Sequence, residues 1–125
     1  MYSGNDNVVS ELISSYAWDT ALNFICQTNS AGYTLATTTS SSYGNIRTNS
    51  RQNTGTFTVD NYSNIHDLLG NFMEWTTGYC STSGAPCVSR GGNYNYNSGS
   101  ADVYYRFSTS SYDAYVSFCL QLYVK

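Results

Sequence analysis

The residues that could carry covalent or metal chemistry are few in this chain. Its cysteines are Cys26, Cys80, Cys87 and Cys119, and its single histidine is His66. Because the sequence has no Cys-x-x-Cys pair and only one histidine, it lacks the ligand sets of structural zinc and of non-haem iron. A Ser-His-Asp triad would also depend on His66 alone, and we expect no catalytic role for it.

The even number of cysteines leaves the thiol chemistry open. Cys80 and Cys87 flank Ser-Thr-Ser-Gly-Ala-Pro, a turn-rich stretch that could bring the two sulfur atoms together. A bridge there and two free thiols are equal alternatives. A bridge between Cys26 and Cys119 is less favoured, because the sequence shows no secretory signal.

Two carboxylates, Asp67 and Glu74, could form an acid and base pair. The local pattern instead favours Asp67 as a partner of a helix N-terminus and Glu74 as a buried hydrogen-bonding residue. Calcium prefers carboxylate, amide and carbonyl oxygens, which are plentiful here, but the chain has no compact acidic loop. We therefore predict no cofactor; structural calcium is compatible with the composition but not indicated by it.

The first element that would position side chains is an amphipathic helix over residues 15–27, with Ser14 or Ser15 as its N-cap. Apolar residues recur at helical spacing there, namely Ala17, Trp18, Ala21, Leu22 and Ile25. This apolar stripe is expected to face the core.

Beyond the helix, the pattern predicts small sheets joined by long loops. The expected elements are a strand at Thr56–Val59, a one-turn helix at Asn64–Leu69, and strands at Phe72–Thr76 and Val88–Gly92. From Val116 to Lys125 apolar and polar residues alternate, which is the period of a half-buried strand. Small antiparallel sheets, two short helices and long loops define an α+β fold class.

Bulk properties limit the function classes. At 125 residues the chain fits a single domain, residues 1–125. Only 10% of residues are charged, the net charge is -3, and the five cations are scattered, so no nucleic-acid partner is expected. No apolar run approaches the roughly 20 residues of a membrane span, so membrane insertion is not expected.

The segment from Asn93 to Cys119 has the composition of a binding surface. Its 27 residues include six Tyr, six Ser and three Asn, as in antibody contact loops, where Tyr supplies rigid area and Ser and Asn supply hydrogen bonds. A solvated polar loop is the alternative, but so many aromatic rings would leave a sizeable apolar patch. The expected ligand-binding residues are Tyr94, Tyr96, Asn97, Asp102, Tyr104, Tyr105, Arg106, Phe107, Ser108, Tyr112, Asp113 and Tyr115.

The same segment contains no Lys, Glu, Gln, Met or Trp. All the residue types that it does contain can be encoded by codons ending in a pyrimidine. The composition is therefore compatible with a constraint that acts on codons.

The stretch Asn64-Ile-His-Asp-Leu-Leu-Gly-Asn-Phe-Met-Glu-Trp75, followed by Arg90-Gly-Gly-Asn-Tyr94 and a strand around Phe118, resembles the signature of the formylglycine-generating-enzyme-type C-type-lectin-like domain. The chain is most similar to the variable proteins of diversity-generating retroelements, in which asparagine codons after Arg-Gly-Gly are rewritten. The resemblance implies a C-type-lectin-like scaffold that displays varied side chains to a protein or glycan on a host or target cell. It also implies a place on a virion tail or a cell surface, as the C-terminal domain of a longer protein.

Residue roles follow from the same resemblance. Asn71, Glu74 and Trp75 would belong to the scaffold, and His66 would lie on a helix surface. The motif at residues 90–92 would mark the entry into the variable segment. These residues would support the ligand-binding surface without contacting the ligand.

The chain departs from the family pattern at Ser117 and Cys119, where Gly and Arg are usual. Either Cys119 is a varied position or the match is weaker at the last strand. The oxidising enzymes of the superfamily use a cysteine pair shortly after Arg-Gly-Gly, and no cysteine lies between Cys87 and Cys119. A degenerate enzyme of that type is therefore the weaker alternative, and a carbohydrate-binding lectin-like domain of fixed specificity is the stronger one.

Overall fold

A computed structural model of the chain describes residues 8–29, 44–46, 50–56, 61–62, 64–81, 83–95, 103–109 and 114–124. One helix and eight strands lie in these ranges. In chain order they are β1 (Val8–Leu12), α1 (Ser15–Thr28), β2 (Asn61–Tyr62), β3 (Ile65–His66), β4 (Met73–Tyr79), β5 (Cys87–Arg90), β6 (Phe107–Thr109), β7 (Val116–Phe118) and β8 (Leu120–Val124). The described part of the chain is a small α+β fold.

The predicted first helix is confirmed as α1. The Ser14 hydroxyl accepts a hydrogen bond from the Ala17 backbone N–H at 3.0 Å, which satisfies one of the donors left unpaired at a helix start. Trp18, Leu22 and Ile25 are buried, as expected for residues three and four positions apart on one helix face. Among the described residues, no helix has the length and apolar composition that a membrane crossing requires.

Four strands form the central sheet in the order β6-β5-β4-β7. β5 pairs antiparallel with both β4 and β6, whereas β7 runs parallel to β4, with Trp75 opposite Phe118. The prediction of purely antiparallel sheets is therefore wrong. A parallel pair needs a long crossover connection, and here β5 and β6 both lie in the connection from β4 to β7.

The C-terminal strand is divided in two, contrary to the single half-buried strand that its alternation predicted. β7 ends at Phe118, and β8 leaves the central sheet to pair antiparallel with β1. At the break, the Cys119 carbonyl accepts a hydrogen bond from the Ile13 backbone N–H at 3.0 Å. Because the chain changes partner there, Phe118 and Leu120 are exposed rather than on a common buried face.

The one-turn helix predicted at Asn64–Leu69 is not formed, so the prediction of two short helices is wrong for the described residues. Ile65 and His66 instead form β3, which pairs with β2. Asn64 and Asp67 have φ angles of 64° and 55°. This left-handed region is excluded from a right-handed helix, and Asn and Asp enter it more readily than most other residues.

The strands predicted from Phe72 and from Val88 are present as β4 and β5. β5 ends before Gly91, whose φ is 94°; a Cβ atom there would lie 3.0 Å from the Leu68 carbonyl oxygen. Glycine is therefore required for the chain to leave the sheet at this point. The strand predicted at Thr56–Val59 lies mostly outside the described residues.

The hydrophobic core collects residues from α1, from residues 44–46, from the segments around β2 and β3, and from the predicted variable segment. Its buried members are Trp18, Leu22, Ile25, Ile46, Tyr62, Leu68, Leu69 and Val103. The Trp18 indole N–H donates a hydrogen bond to the Val103 carbonyl at 3.2 Å. One residue of the predicted variable segment is thus part of the core.

Candidate functional site

The predicted ligand-binding residues that the structure describes lie at two opposite edges of the central sheet. Tyr104–Ser108 lead into β6 and form the β6 edge, whereas Tyr94 and Tyr115 join residues 116–119 in the β7 edge. Three strand spacings, about 14 Å, separate β6 from β7. The single surface predicted from the sequence is therefore two surfaces here. Tyr96, Asn97, Asp102, Tyr112 and Asp113 lie outside the described residues.

At the β6 edge, the Asp19 carboxylate bridges two arginines. Nη2 of Arg90 donates a hydrogen bond to one carboxylate oxygen at 2.7 Å, and Nη2 of Arg106 donates to the other. Asp19 belongs to α1, so a scaffold helix holds a residue of the predicted variable segment. Arg106, predicted as a contact residue, is tethered although 53% of its side chain is exposed.

Arg90 holds its charge in the protein interior. Its side chain is 0% exposed, and its guanidinium carbon lies 5.7 Å from the centre of the Trp18 ring, within cation–π range. Burial lowers the pKa of Arg90, and its hydrogen bond to Asp19 opposes that shift. No described residue accepts a hydrogen bond from Nε or Nη1. Asp19 is therefore the partner that offsets the burial of this charge.

A cavity of about 270 Å³ opens beside these ion pairs. We call it the tyrosine pocket, and it is lined by Ser15, Tyr16, Asp19, Gly78, Tyr79, Val88 and Arg106. Tyr16 and Tyr79 are 87% and 79% exposed, more than any other large hydrophobic side chain that the structure describes. On the neighbouring β6 edge, the Tyr105 and Phe107 rings meet edge to face with 4.7 Å between their centroids.

At the β7 edge, the aromatic side chains are packed against one another. Tyr94 lies between Phe72 and Tyr115, with ring centroids 5.7 Å and 5.5 Å away. Nδ2 of Asn95 donates a hydrogen bond to the Tyr115 hydroxyl at 3.0 Å. All three rings belong to half-buried residues, so these predicted contact residues also serve as structural packing.

A second cavity, of about 260 Å³, lies at the β7 edge. We call it the acidic pocket, because its described lining has two carboxylates and no arginine or lysine. The lining residues are Thr54, His66, Asp67, Asn71, Phe72, Glu74, Ser117, Phe118 and Cys119. The parallel pairing of β4 with β7 forms this cavity, since it places Ser117 opposite Glu74.

Glu74 titrates near neutral pH. Burial, followed by the negative charge of Asp67, raises the pKa of Glu74 to about 7. The residue is half-buried, and its predicted role as a hydrogen-bonding partner of the scaffold stays a prediction. A carboxyl group with this pKa exchanges protons at neutral pH, a property of both binding sites and acid–base catalysts.

Cys119 is the only thiol in the acidic pocket. Although the residue as a whole is exposed, burial of the thiol and then the charge of Glu74 raise the pKa of Cys119. The thiolate is the nucleophilic form of cysteine, and a raised pKa lowers its population at neutral pH. The pocket therefore disfavours thiol chemistry at this residue.

Asp67 and His66 do not occupy the positions predicted for them. Oδ2 of Asp67 accepts a hydrogen bond from the Gly55 backbone N–H at 3.3 Å, so the carboxylate closes a turn and does not cap a helix. His66 is exposed on β3 and does not lie on a helix surface. Both side chains line the acidic pocket.

Asn71 is a buried junction between three segments. Its Oδ1 accepts hydrogen bonds from Asn45 Nδ2 at 3.1 Å and from the Gln52 backbone N–H at 3.0 Å. Its Nδ2 donates to the Gln52 carbonyl at 3.0 Å, and its own carbonyl accepts from the Tyr94 backbone N–H at 3.0 Å. Asn71 thus connects the β7 edge to the rest of the fold, an arrangement compatible with the scaffold role that the family resemblance implies.

All four cysteines are free thiols in the structure. Tyr79 is opposite Cys87 in the β4–β5 pair, and the next residue, Cys80, donates its backbone N–H to the Pro86 carbonyl at 2.8 Å. The Cys80 Sγ lies 2.9 Å from the Ser108 Oγ, with which it forms a hydrogen bond. Within the described ranges, no group of three or more His, Cys, Asp or Glu side chains is placed to hold a metal ion.

Comparisons with protein-family models, with curated proteins and with solved structures find no match to this chain.

Three features of these sites escaped prediction from the sequence: the bridging role of Asp19, the exposure of Tyr16 and Tyr79, and the acidic pocket. The ion-pairing role of Asp19 had a signal in the sequence. Arg90 belongs to a motif that is expected to be structural, and a buried arginine needs an opposite charge. The acidic pocket has no local signal, since it arises from the pairing of strands that are distant in sequence.

Proposed function

We propose that this chain is a non-catalytic recognition domain, with a C-type-lectin-like scaffold of the kind used by variable proteins of diversity-generating retroelements. The observation that carries the proposal is a change of burial at one point of the chain. Residues 90–93 are buried, whereas the described residues that follow, Tyr94–Asn95 and Tyr104–Ser108, are half-buried or exposed; Val103 between them is fully buried. The motif that resembles the scaffold signature therefore ends where the residues expected to vary begin to reach the surface.

The β6 edge supports a role in recognition. Tyr104 and Tyr105 are exposed, and the neighbouring guanidinium of Arg106 is held by Asp19 while half of its side chain is open to solvent. A side chain that is already ordered loses less conformational freedom when it binds a ligand. Aromatic and arginine side chains are also the types that most often dominate binding energy at protein interfaces.

The absence of a reactive thiol pair supports the non-catalytic part of the proposal. The sequence has no cysteine between Cys87 and Cys119, so the paired thiols of the oxidising enzymes have no counterpart after Arg-Gly-Gly. The raised pKa of Cys119 further reduces its reactivity.

Sequencing of this locus across sibling genomes tests the proposal. Substitutions are expected to concentrate at asparagine-type codons between Asn93 and Cys119, above all at Tyr104 and Tyr105. Val103 is the internal control, because it is fully buried in the same segment and should remain apolar. Substitutions spread evenly along the chain would overturn the retroelement proposal.

A carbohydrate-binding domain of fixed specificity is the second candidate. The paired rings of Tyr105 and Phe107 favour it, since exposed aromatic faces can stack on sugars. A glycan array separates the two candidates: a single glycan bound by every sibling protein, whatever its 93–119 sequence, would favour the lectin. If a calcium chelator abolished that binding, calcium would be part of the glycan-binding site.

A further inference from the structure

The tyrosine pocket combines fixed scaffold residues with one residue of the predicted variable segment. Tyr16 and Asp19 come from α1, Tyr79 comes from the end of β4, and Arg106 precedes β6. Tyr16 and Tyr79 are the most exposed large aromatic residues described. Exposed aromatic groups that surround a cavity are a common mark of an interaction surface.

Among the charged groups that the structure describes at or beneath the pocket, arginines outnumber carboxylates; Arg106 lines the cavity and Arg90 is buried below it. Arg90 and Arg106 share the single carboxylate of Asp19. No acidic residue occupies the first turn of α1, so the positive end of the helix dipole, which lies at Ser15 and Tyr16, has the Ser14 hydroxyl as its cap but no negative charge beside it there. The balance favours an incoming negative group.

The donors around the cavity suit a carboxylate. Arg106 uses only Nη2 in its hydrogen bond to Asp19, and a guanidinium has further N–H donors in a fixed fork that matches a carboxylate. The tyrosine hydroxyls of Tyr16 and Tyr79 are additional donors. The cavity of about 270 Å³ is large enough to admit one carboxylate side chain of a partner.

We propose that the tyrosine pocket binds an Asp or Glu side chain of a protein partner, with Arg106 as its charged anchor and Tyr16 and Tyr79 as fixed aromatic walls. The inference rests on the proposed recognition function and specifies the chemical class of its partner. It also extends the binding surface beyond residues 93–119 to Tyr16 and Tyr79, which lie outside the segment that is expected to vary. A partner can thus contact both the constant residues Tyr16 and Tyr79 and the variable residue Arg106 on the same surface.

The test is an NMR titration of the isotope-labelled chain with three blocked pentapeptides, in which Gly alternates with Glu, with Gln or with Lys. The Glu peptide should shift the backbone amides of Tyr16, Gly78, Tyr79 and Arg106. The Gln peptide should bind at least about fivefold more weakly, and the Lys peptide should leave these amides unchanged. Binding of the Glu peptide should weaken at high salt, because the attraction is between partly exposed charges.

Matched variants localise the effect. Arg106→Ser should weaken Glu-peptide binding at least about fivefold, whereas Arg51→Ser, which removes another exposed arginine, should leave it unchanged. Tyr16→Ser and Tyr79→Ser should each weaken binding, and Phe24→Ser, at another exposed aromatic of α1, should not. The indole N–H signal of Trp18, which is hydrogen-bonded in the core, reports that each variant is folded.

The outcomes separate this inference from the proposal on function. Equal binding of the Glu and Gln peptides, or equal effects of the Arg106 and Arg51 variants, would overturn the carboxylate site. Binding of a sialylated sugar without binding of the Glu peptide would also overturn it, in favour of a glycan. The peptide titration could confirm the carboxylate site while sequencing finds no localised variation at the locus. That combination would support the site and overturn only the retroelement proposal.

Discussion

The two edges of the central sheet carry residues of one compositionally uniform segment but differ in chemistry. At the β6 edge, Arg106 is exposed and is ordered by Asp19, and its surroundings have a positive excess. At the β7 edge, Tyr94 and Tyr115 pack against Phe72, beside a pocket with Asp67 and Glu74 and no described cation. A Tyr- and Ser-rich composition therefore indicates a surface without fixing what that surface binds.

The scaffold accounts for the difference between the edges. The β6 edge lies next to the N-terminal turns of α1, which supply Asp19 and Tyr16. The β7 edge lies next to β4 and the turn at Asp67, which supply carboxylates. The resemblance assigns the side chains beneath each edge to the constant part of the chain. These side chains determine the electrostatic environment of any variable residue above them.

The largest expected effect is at the ion pairs below the β6 edge. Asp19→Asn leaves the buried Arg90 without its charged partner and should reduce the free energy of unfolding by about 3 kcal/mol. Arg106→Ala removes the exposed partner of the same carboxylate and should cost less than about 1 kcal/mol. Urea denaturation of both variants measures the contrast, and similar losses would show that Arg90 does not depend on Asp19.

The acidic pocket should make the stability of the protein depend on pH near neutrality. Because the folded protein raises the pKa of Glu74 from 4.5 to about 7, folding favours its protonated form. Below pH 4.5 Glu74 is protonated in both the folded and the unfolded state and leaves the free energy of unfolding unchanged. As the pH rises, Glu74 lowers the free energy of unfolding, and this loss reaches its full size above pH 7.

Glu74→Gln should therefore stabilise the protein at pH 8 by about 1–3 kcal/mol and leave its stability at pH 4 unchanged. Thermal unfolding across this range measures the effect. Glu11→Gln, at an exposed carboxylate of β1, is the matched control and should leave the pH profile as it is. A Glu74→Gln profile parallel to that of the unmodified protein would contradict the account of the pocket.

The smallest expected effects distinguish the aromatic side chains of the two edges. Tyr94→Leu removes ring contacts to both Phe72 and Tyr115 in a half-buried cluster and should cost about 1 kcal/mol. Tyr105→Leu removes one contact, to Phe107, at an exposed position and should cost about half as much. A larger loss for Tyr105 would mean that the β6 edge is packed more tightly than its exposure indicates.

The parts of the fold that could be predicted are those fixed by local pattern. The helical spacing of Trp18, Leu22 and Ile25 and the cap at Ser14 identified α1, because both signals lie within a few residues of each other. The turn around Asn64 and Asp67 was mistaken for a helix, since Asn and Asp are common both at helix caps and in the left-handed conformation.

The parts that could not be predicted depend on long-range pairing. Alternation in residues 116–125 identified strand character, but it does not contain the information that β7 joins β4 while β8 joins β1. The acidic pocket depends on that choice, because Phe118 and Cys119 reach Glu74 only through the parallel pair. The composition of residues 93–119 predicts exposed aromatic side chains, but it does not contain their division between two edges of the sheet.

If residues 1–92 and 116–125 form a fixed scaffold, the exposed positions of the segment between them can change at little cost in stability. Simultaneous replacement of Tyr104, Tyr105 and Arg106 by Ser, compared with the single change Val103→Ser, tests it most directly by thermal unfolding. We expect the triple variant to fold and to lose only a few degrees in its midpoint, the size of loss that the small single effects imply. Val103→Ser should lose much more or fail to fold, because Val103 is fully buried. Unfolding of the triple variant, or tolerance of a serine at Val103, would contradict it.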